Sequence, residues 1–267
     1  MNGDPAIADE TEANRASVSA TPSAPLMLTP AMRQYQQFKA QYPGYILFFR
    51  MGDFYEMFWE DAKTAARVLG LTLTARSKGE GAIPMAGVPF HAVDSYLRRM
   101  IKAGHKVAIC EQTEDAAMAK GLVKRDVVRL MTPGTITDDP LLDGRCDNYL
   151  AAVMSGDKGE LALAWVELST GACCAMDGAE PQILEQISRL RPAEILLPES
   201  ATGQEHPIAA RLRQQGGGAI TSRPGWQFTP HHVRQIVLQQ WQAATVAGFG
   251  FAADEPAVLA TAAILSY

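Results

Sequence analysis

The sequence feature that most constrains the fold is Tyr45–Met51, a run of apolar and β-favouring residues that a single arginine interrupts. A strand with one face in water alternates apolar and polar residues, whereas an apolar run without alternation is typical of a strand buried on both faces. Two covered faces require further elements on either side of the sheet. The sequence therefore predicts a buried strand over Tyr45–Met51 in a domain of the α/β class.

The residues before and after this strand predict helices. Thr29 and Pro30 are typical of an N-cap and a first helical position, so we predict that a helix starts there. Gly52 ends the strand, and Asp53 with Glu56 three residues later has the spacing of a capping box. We therefore predict that a second helix begins at Asp53.

The rest of the chain predicts two α/β domains. A mixed pattern of strands and helices continues to Gly134, where turn-forming residues without apolar periodicity indicate a boundary. A strand meander and then alternating helices and strands follow, which favours a second α/β domain. The predicted divisions are a disordered tail over 1–25, a first domain over 26–134, a linker over 135–147, a second domain over 148–257, and the start of a truncated helix over 258–267.

Composition excludes several classes of protein. A net charge of −5 argues against a general nucleic-acid coat, so any DNA contact must be local. The four cysteines contain no C-x-x-C pair and the five histidines are scattered, so we expect no metal site. The chain has neither a signal peptide nor an apolar run of membrane-spanning length, and we expect a cytoplasmic protein with no membrane partner.

Motifs for catalysis are missing from the sequence. It contains no phosphate-binding loop, no G-x-S-x-G turn and no H-E-x-x-H pair, so we expect no catalytic residue and no nucleotide hydrolysis in this chain. The strand pattern of the second domain leaves one alternative, a metal nuclease of the ribonuclease-H type. Glu167 and Glu194 are its candidate carboxylates, but the first strand of that domain, 148–154, carries no acid inside it, which makes this alternative the less favoured one.

Phe54 and Glu56 have a structural interpretation when they are considered alone. Glu56 is the second half of the predicted capping box, and Phe54 lies within reach of the apolar stripe of the predicted helix. The local sequence therefore favours packing and capping over binding.

Five short sequence motifs, taken in their order along the chain, indicate a protein family. The motifs are LTPAM at 28–32, FRMGDFYE at 49–56, IPMAGVP at 83–89, AICEQ at 108–112 and RLMTPGT at 129–135. In this order they resemble the mismatch-recognition domain of the MutS proteins of DNA mismatch repair, and residues 148 to about 259 resemble the family's connector domain. The resemblance implies a mixed-sheet α/β domain followed by a ribonuclease-H-like α/β connector, in the N-terminal portion of such a protein.

The resemblance also implies which residues bind DNA. Phe54 is expected to enter the minor groove and stack on a mispaired base, and Glu56 is expected to form a hydrogen bond to that base. Gly52 and Asp53 would support these two side chains. Two further binding residues are implied, Arg76 as a contact to DNA and Met85 as a residue that lines the wedge, whereas Ala75 stands where the family often has lysine.

The implied partners are double-stranded DNA with mispairs or small loops, a MutL-type protein, and a second copy in the complete protein. That complete protein would be a DNA-dependent ATPase, with ATP and magnesium in a domain that this chain lacks, so no cofactor is expected here. One rival function remains beside the nuclease, a protein-interaction module without mismatch preference in which the connector is the working part.

Overall fold

The computed structural model describes residues 28–76, 81–114, 121–137, 146–156, 159–200, 205–252 and 254–267, without the side chain of residue 234. The tail predicted over 1–25 lies outside the described residues, and so do residues 138–145 of the predicted linker. Among the described helices, none is long and apolar enough to cross a bilayer.

The first sheet has six strands within the described residues, in the order β3-β4-β2-β1-β5-β6. Strands β1 and β5 are parallel, and the other neighbours are antiparallel. The strands are β1 (Tyr45–Met51), β2 (Phe54–Phe58), β3 (Thr74–Ala75), β4 (Pro84–Pro89), β5 (Lys106–Gln112) and β6 (Arg125–Met131), and the helices are α1 (Pro30–Gln41), α2 (Trp59–Leu69) and α3 (Val93–Lys102). This domain is therefore mixed α/β.

Strand β1 is covered on both faces, which confirms the interpretation of its apolar run. Leu47 and Phe49 pack with helix α1, while Phe48 packs on the opposite face with helices α2 and α3. Helix α1 begins as predicted, because the Thr29 hydroxyl accepts a hydrogen bond from the Met32 amide at 3.4 Å. Burial of large side chains on both sides of one strand gives the domain its core.

The prediction that a helix begins at Asp53 is wrong. Residues Phe54–Phe58 form strand β2, and helix α2 begins only at Trp59. The backbone of this segment pairs with two neighbours, since Glu56 lies opposite Phe49 of β1 and Gly87 of β4. Pairing on both sides, together with aromatic residues that favour strands, outweighs a capping box that a local helix would have used. Glu56 therefore does not cap a helix.

The second sheet has five strands within the described residues, in the order β11-β10-β7-β8-β9. Strands β7, β8 and β9 form an antiparallel meander, and β10 and β11 are parallel to β7. The elements are β7 (Tyr149–Ser155), β8 (Glu160–Glu167), β9 (Ala172–Ala179), α4 (Glu180–Leu190), β10 (Glu194–Pro198), α5 (Ala209–Gln214), β11 (Ala219–Arg223), α6 (Pro230–Gln240) and α7 (Pro256–Leu265). The predicted α/β class is confirmed, and the ribonuclease-H relation stays a prediction.

Helices cover both faces of the second sheet. Helices α4 and α5 pack on one face and α7 on the other, while α6 packs against α7. Strands β4 and β11 were not predicted from the sequence.

Candidate nucleic-acid interface

Strand β2 places Phe54 and Glu56 on the same face of the first sheet. Side chains alternate along a strand, so Tyr55 between them points into the core while Phe54 is 47% exposed. Phe54 is the first residue after the turn that joins β1 to β2, opposite Met51 of β1. The structure therefore carries an exposed aromatic ring at a hairpin end, with a carboxylate two residues behind it.

The turn that carries Phe54 is braced from both sides. Gly52 has a φ of +59°, a backbone conformation that favours glycine, and it stands at the first position of a two-residue hairpin turn. Its carbonyl accepts a hydrogen bond from Arg50 Nε at 2.5 Å, and the Asp53 carbonyl accepts one from the Phe90 amide at 2.9 Å. The Arg50 guanidinium lies 3.8 Å from the centre of the Phe90 ring. Gly52 and Asp53 thus fix the backbone from which the Phe54 side chain extends.

The Glu56 carboxylate is paired with Arg76. Arg76 Nη1 lies 3.1 Å from Glu56 Oε2, and the same guanidinium lies 5.6 Å from the centre of the Phe58 ring. Burial raises the pKa of Glu56, and the charges of Arg76 and then Arg125 oppose that rise. The carboxylate is therefore half-desolvated and held by a cation that is itself only partly buried.

Met85 lies on the same face as Phe54 but not beside it. In the register of β2 and β4 it stands opposite Phe58, whereas Phe54 stands opposite Pro89. Met85 is half-buried in the cluster that packs under helix α1. The structure does not bring Met85 into contact range of the exposed ring, so its predicted place at the wedge stays a prediction.

Three residues that sequence reasoning missed adjoin the candidate pair. Met51 stands opposite Phe54, and its sulfur lies 3.5 Å from Arg76 Nη1. Gly87 stands opposite Glu56, and a Cβ there would lie 3.8 Å from Glu56 Cγ and 3.9 Å from Phe54 Cδ1. The Gly87 backbone is therefore close enough that a Cβ there would make van der Waals contact with both side chains.

Arg125 is the third missed residue. Its Nε donates to the Arg50 carbonyl at 2.8 Å, its Nη1 donates to Gln34 Oε1 at 3.0 Å, and its guanidinium lies 4.7 Å from the Phe49 ring. Arg125 is far from Glu56 in sequence, and strands β1 and β5 lie between β2 and its own strand β6. Its positive charge nevertheless lowers the pKa of Glu56, so only the strand order could have revealed it.

Comparison with protein-family models assigns both halves of the chain. Residues 29–140 match the model described as MutS domain I, and residues 148–267 match the model described as MutS domain II. Each range contains one of the two sheets. Because the two models together cover most of the sequence, in the order in which their domain numbers run, the chain belongs to the MutS family.

Proposed function

We propose that this chain binds mismatched duplex DNA in mismatch repair, with Phe54 as a minor-groove wedge and Glu56 as a contact to the mispaired base. Membership of the MutS family is consistent with DNA binding in mismatch repair. The observation that carries the finer proposal is the exposed Phe54 ring at a braced hairpin end, next to a half-desolvated carboxylate.

An aromatic wedge reads deformability rather than sequence. Inserting an apolar side chain between base steps unstacks them at a cost of a few kcal/mol and kinks the duplex by roughly 20 to 90°. A mispair has already lost pairing energy and stiffness, so the same insertion costs less there. Because every base presents a π-face to the Phe54 ring, the wedge accepts many mispairs in any sequence context.

We infer that DNA binding removes Arg76 from Glu56 and gives the carboxylate a mispaired base as its new partner. A phosphate attracts the Arg76 guanidinium and repels the carboxylate, so an approaching backbone weakens the ion pair between them. Arg76 then contacts phosphate, and Glu56 must find a hydrogen-bond partner or carry an unpaired charge near a polyanion. A mispaired base whose edge is free supplies that partner, whereas a paired duplex does not. Glu56 thereby penalises binding to intact DNA.

Replacing Glu56 by glutamine tests this penalty. We expect Glu56→Gln to tighten binding to fully paired duplex more than binding to a G·T duplex, so that the ratio of the two affinities falls roughly tenfold, the equivalent of 1.4 kcal/mol. Fluorescence anisotropy with both duplexes at one salt concentration measures the ratio. The matched control is Glu60→Gln, which removes the same charge from an exposed helix position. An unchanged ratio in Glu56→Gln would remove the carboxylate charge from the mechanism.

A pH series tests the same carboxylate independently. The pKa of Glu56 is raised by burial in the free chain, and loss of Arg76 to phosphate would raise it further. Binding is then coupled to proton uptake, because the bound state holds the proton at pH values where the free state has lost it. We expect affinity for mismatched duplex to increase as the pH is lowered from neutrality toward this raised pKa. In Glu56→Gln the affinity for mismatched duplex should change less with pH. A pH dependence equal to that of the parent chain would count against the proposal.

The nuclease alternative has little geometric support. Glu167 stands opposite Tyr149 and Glu194 stands level with Leu150, and these two β7 neighbours point to opposite faces of the second sheet. The two carboxylates therefore do not converge, whereas two-metal catalysis needs metals about 3.5 to 4 Å apart. Magnesium-dependent cleavage that disappears in Glu167→Ala would restore this alternative.

We also infer from family membership that the complete protein is a dimeric, DNA-dependent ATPase of the cytoplasm with a MutL-type partner. This chain has no phosphate-binding loop, so ATP and magnesium are not assigned to it. Binding of the chain to a MutL-type protein without any mismatch preference would favour the interaction-module alternative.

A further inference from the structure

Glu194 is a fully buried carboxylate at the junction of the two sheets. It is the first residue of β10 and is 0% exposed. Its place in the strand register puts it on the α7 face of the second sheet, level with Leu150. A buried carboxylate is costly unless hydrogen bonds compensate for lost hydration, so its partners indicate what it is for.

The partners of Glu194 come from both domains. Its Oε2 accepts a hydrogen bond from the Gly134 amide at 3.0 Å, and Gly134 lies just beyond the end of strand β6 of the first sheet. Its Oε1 accepts hydrogen bonds from the Thr221 hydroxyl at 2.5 Å and the Tyr267 hydroxyl at 2.8 Å, both within the second domain. One carboxylate thus ties the end of the first sheet to two elements of the second.

One cation from each domain lies at this junction. Burial lowers the pKa of Lys106 at the start of β5, and the Glu194 charge opposes that shift. Lys106 Nζ lies 5.1 Å from the centre of the Tyr45 ring, which is also at the domain junction. From the second domain, the Arg223 guanidinium lies 4.9 Å from the centre of the Tyr267 ring. Each domain thus places a cation beside an aromatic ring at the junction.

The backbone at Gly134 is packed directly against Glu194. A Cβ on Gly134 would lie 2.9 Å from Glu194 Cβ and 2.8 Å from Leu150 Cδ1, closer than non-bonded carbon atoms approach. Beside it, the Asn148 side chain donates to the Pro133 carbonyl at 3.1 Å. Residues on both sides of the connecting segment are thus held in contact where the chain enters the second domain.

We propose that Glu194 is a positioning residue that locks the orientation of the first sheet relative to the second. Relative motion is the default for two domains joined by a linker unless their interface is large and hydrophobic, so a fixed orientation needs contacts that oppose this motion. A buried hydrogen-bonded charge prevents it because its donors have to keep fixed positions. With the lock in place, a force on the hairpin end that carries Phe54 moves the second domain as well, since β1 and β5 run from that hairpin to the junction. This consequence for DNA reading rests on the proposed function, whereas the lock itself does not.

Amide exchange at Gly134 reports on the lock directly. We expect Glu194→Met, which keeps side-chain length and removes the acceptor, to speed hydrogen exchange of the Gly134 amide roughly tenfold or more. Amides in the middle of β8 should keep their protection. The matched control is Glu167→Gln, because Glu167 also accepts several hydrogen bonds, but all from Ser169 and Thr170 within its own turn.

Distances between the domains provide the second readout. Spin labels on cysteines introduced by Lys63→Cys and Arg189→Cys, two exposed helix positions, span the junction once the exposed native cysteines are replaced by serine. We expect one narrow distance distribution in the parent chain and a broader one in Glu194→Met. Gly134→Ala should broaden the distribution as well, whereas Glu167→Gln should leave it narrow.

The outcomes separate the lock from general stability and from DNA binding. Unchanged Gly134 exchange and an unchanged distance distribution in Glu194→Met would overturn the proposal, and so would equal broadening in Glu167→Gln. If Glu194→Met does not fold, Tyr267→Phe and Thr221→Val remove single donors and should each broaden the distribution. Neither readout uses DNA, so a failure of mismatch discrimination would leave the lock standing.

Discussion

Phe54→Ala should abolish most of the preference for mismatched over fully paired duplex. Stacking of a base on an aromatic side chain contributes about 1 to 3 kcal/mol, which corresponds to roughly 5- to 150-fold in affinity. That contribution exists only where the ring can enter the stack, so affinity for mismatched duplex should fall while affinity for paired duplex changes little. Phosphate contacts, which set the paired-duplex affinity, do not involve this ring.

The measurement compares G·T, single-base-loop and fully paired duplexes, using the complete MutS protein that carries the Phe54→Ala change. The matched control is Phe249→Ala, since Phe249 in the second domain is 54% exposed and loses the same ring. Because Phe54 is exposed, its loss should change the free energy of unfolding by no more than about 0.5 kcal/mol. If Phe54→Ala discriminates as well as the parent protein, the wedge is excluded.

Asp61→Ala should destabilise the first domain by several kcal/mol, because each buried donor left without its acceptor costs about 1 to 3 kcal/mol. Asp61 lies in the first turn of helix α2 with its side chain buried. Its carboxylate accepts hydrogen bonds from the Tyr35 hydroxyl at 2.8 Å, the Leu47 amide at 2.9 Å and Lys39 Nζ at 2.8 Å. It therefore joins helix α1, strand β1 and helix α2.

Removal of the Asp61 carboxylate takes this acceptor from the Tyr35 hydroxyl and the Leu47 amide, while Lys39 Nζ keeps the Tyr45 carbonyl as an acceptor. Burial raises the pKa of the Tyr35 phenol and the Asp61 charge adds to that rise, so Tyr35 stays protonated and keeps donating. Urea unfolding of the 267-residue chain, followed by a probe in the first domain, measures the loss. Glu60→Ala is the matched control, because the adjacent Glu60 side chain is 81% exposed. A loss below about 1 kcal/mol, the scale of one ordinary hydrogen bond, would contradict the assigned role.

The sequence correctly predicted those elements whose burial or first residue is indicated by adjacent residues in the chain. The apolar run of β1, interrupted only by Arg50, indicates that this strand is buried, and Thr29 with Pro30 indicates where helix α1 begins. Strand β4 gives no such signal, since proline stands at both of its ends and Gly87 lies inside it. Its strand conformation comes from pairing with β2 and β3, which lie elsewhere in the sequence.

The incorrect helix at Asp53 has the same origin. Asp53 and Glu56 have the spacing of a capping box, and this signal competes locally with the strand preference of the aromatic residues beside it. The competing hydrogen bonds come from β1 on one side and from β4 on the other, and they decide the outcome. The family motifs selected Phe54 and Glu56 as candidates independently of this error, because a motif does not depend on the conformation assigned to it.

The polar groups that hold the structure together were the least predictable. The sequence does not single out Asp61, and it presents Glu194 only as a candidate strand acid of a nuclease. Their burial and their donors depend on Tyr35, Gly134 and other residues that are distant in sequence. Contacts between residues that are distant in sequence cannot be read from a single sequence, so these roles had to come from the structure.

Strand β2 is an interior strand, paired on both sides, so the length of its turn decides which of its side chains face solvent. Shifting the strand by one residue would exchange its two faces, sending Phe54 into the core and presenting Tyr55 to solvent. A single-residue insertion or deletion at Gly52 and Asp53 would therefore change the reading surface although every side chain in it were retained. Such a protein would carry an intact motif in its sequence and have a phenol where the wedge should be.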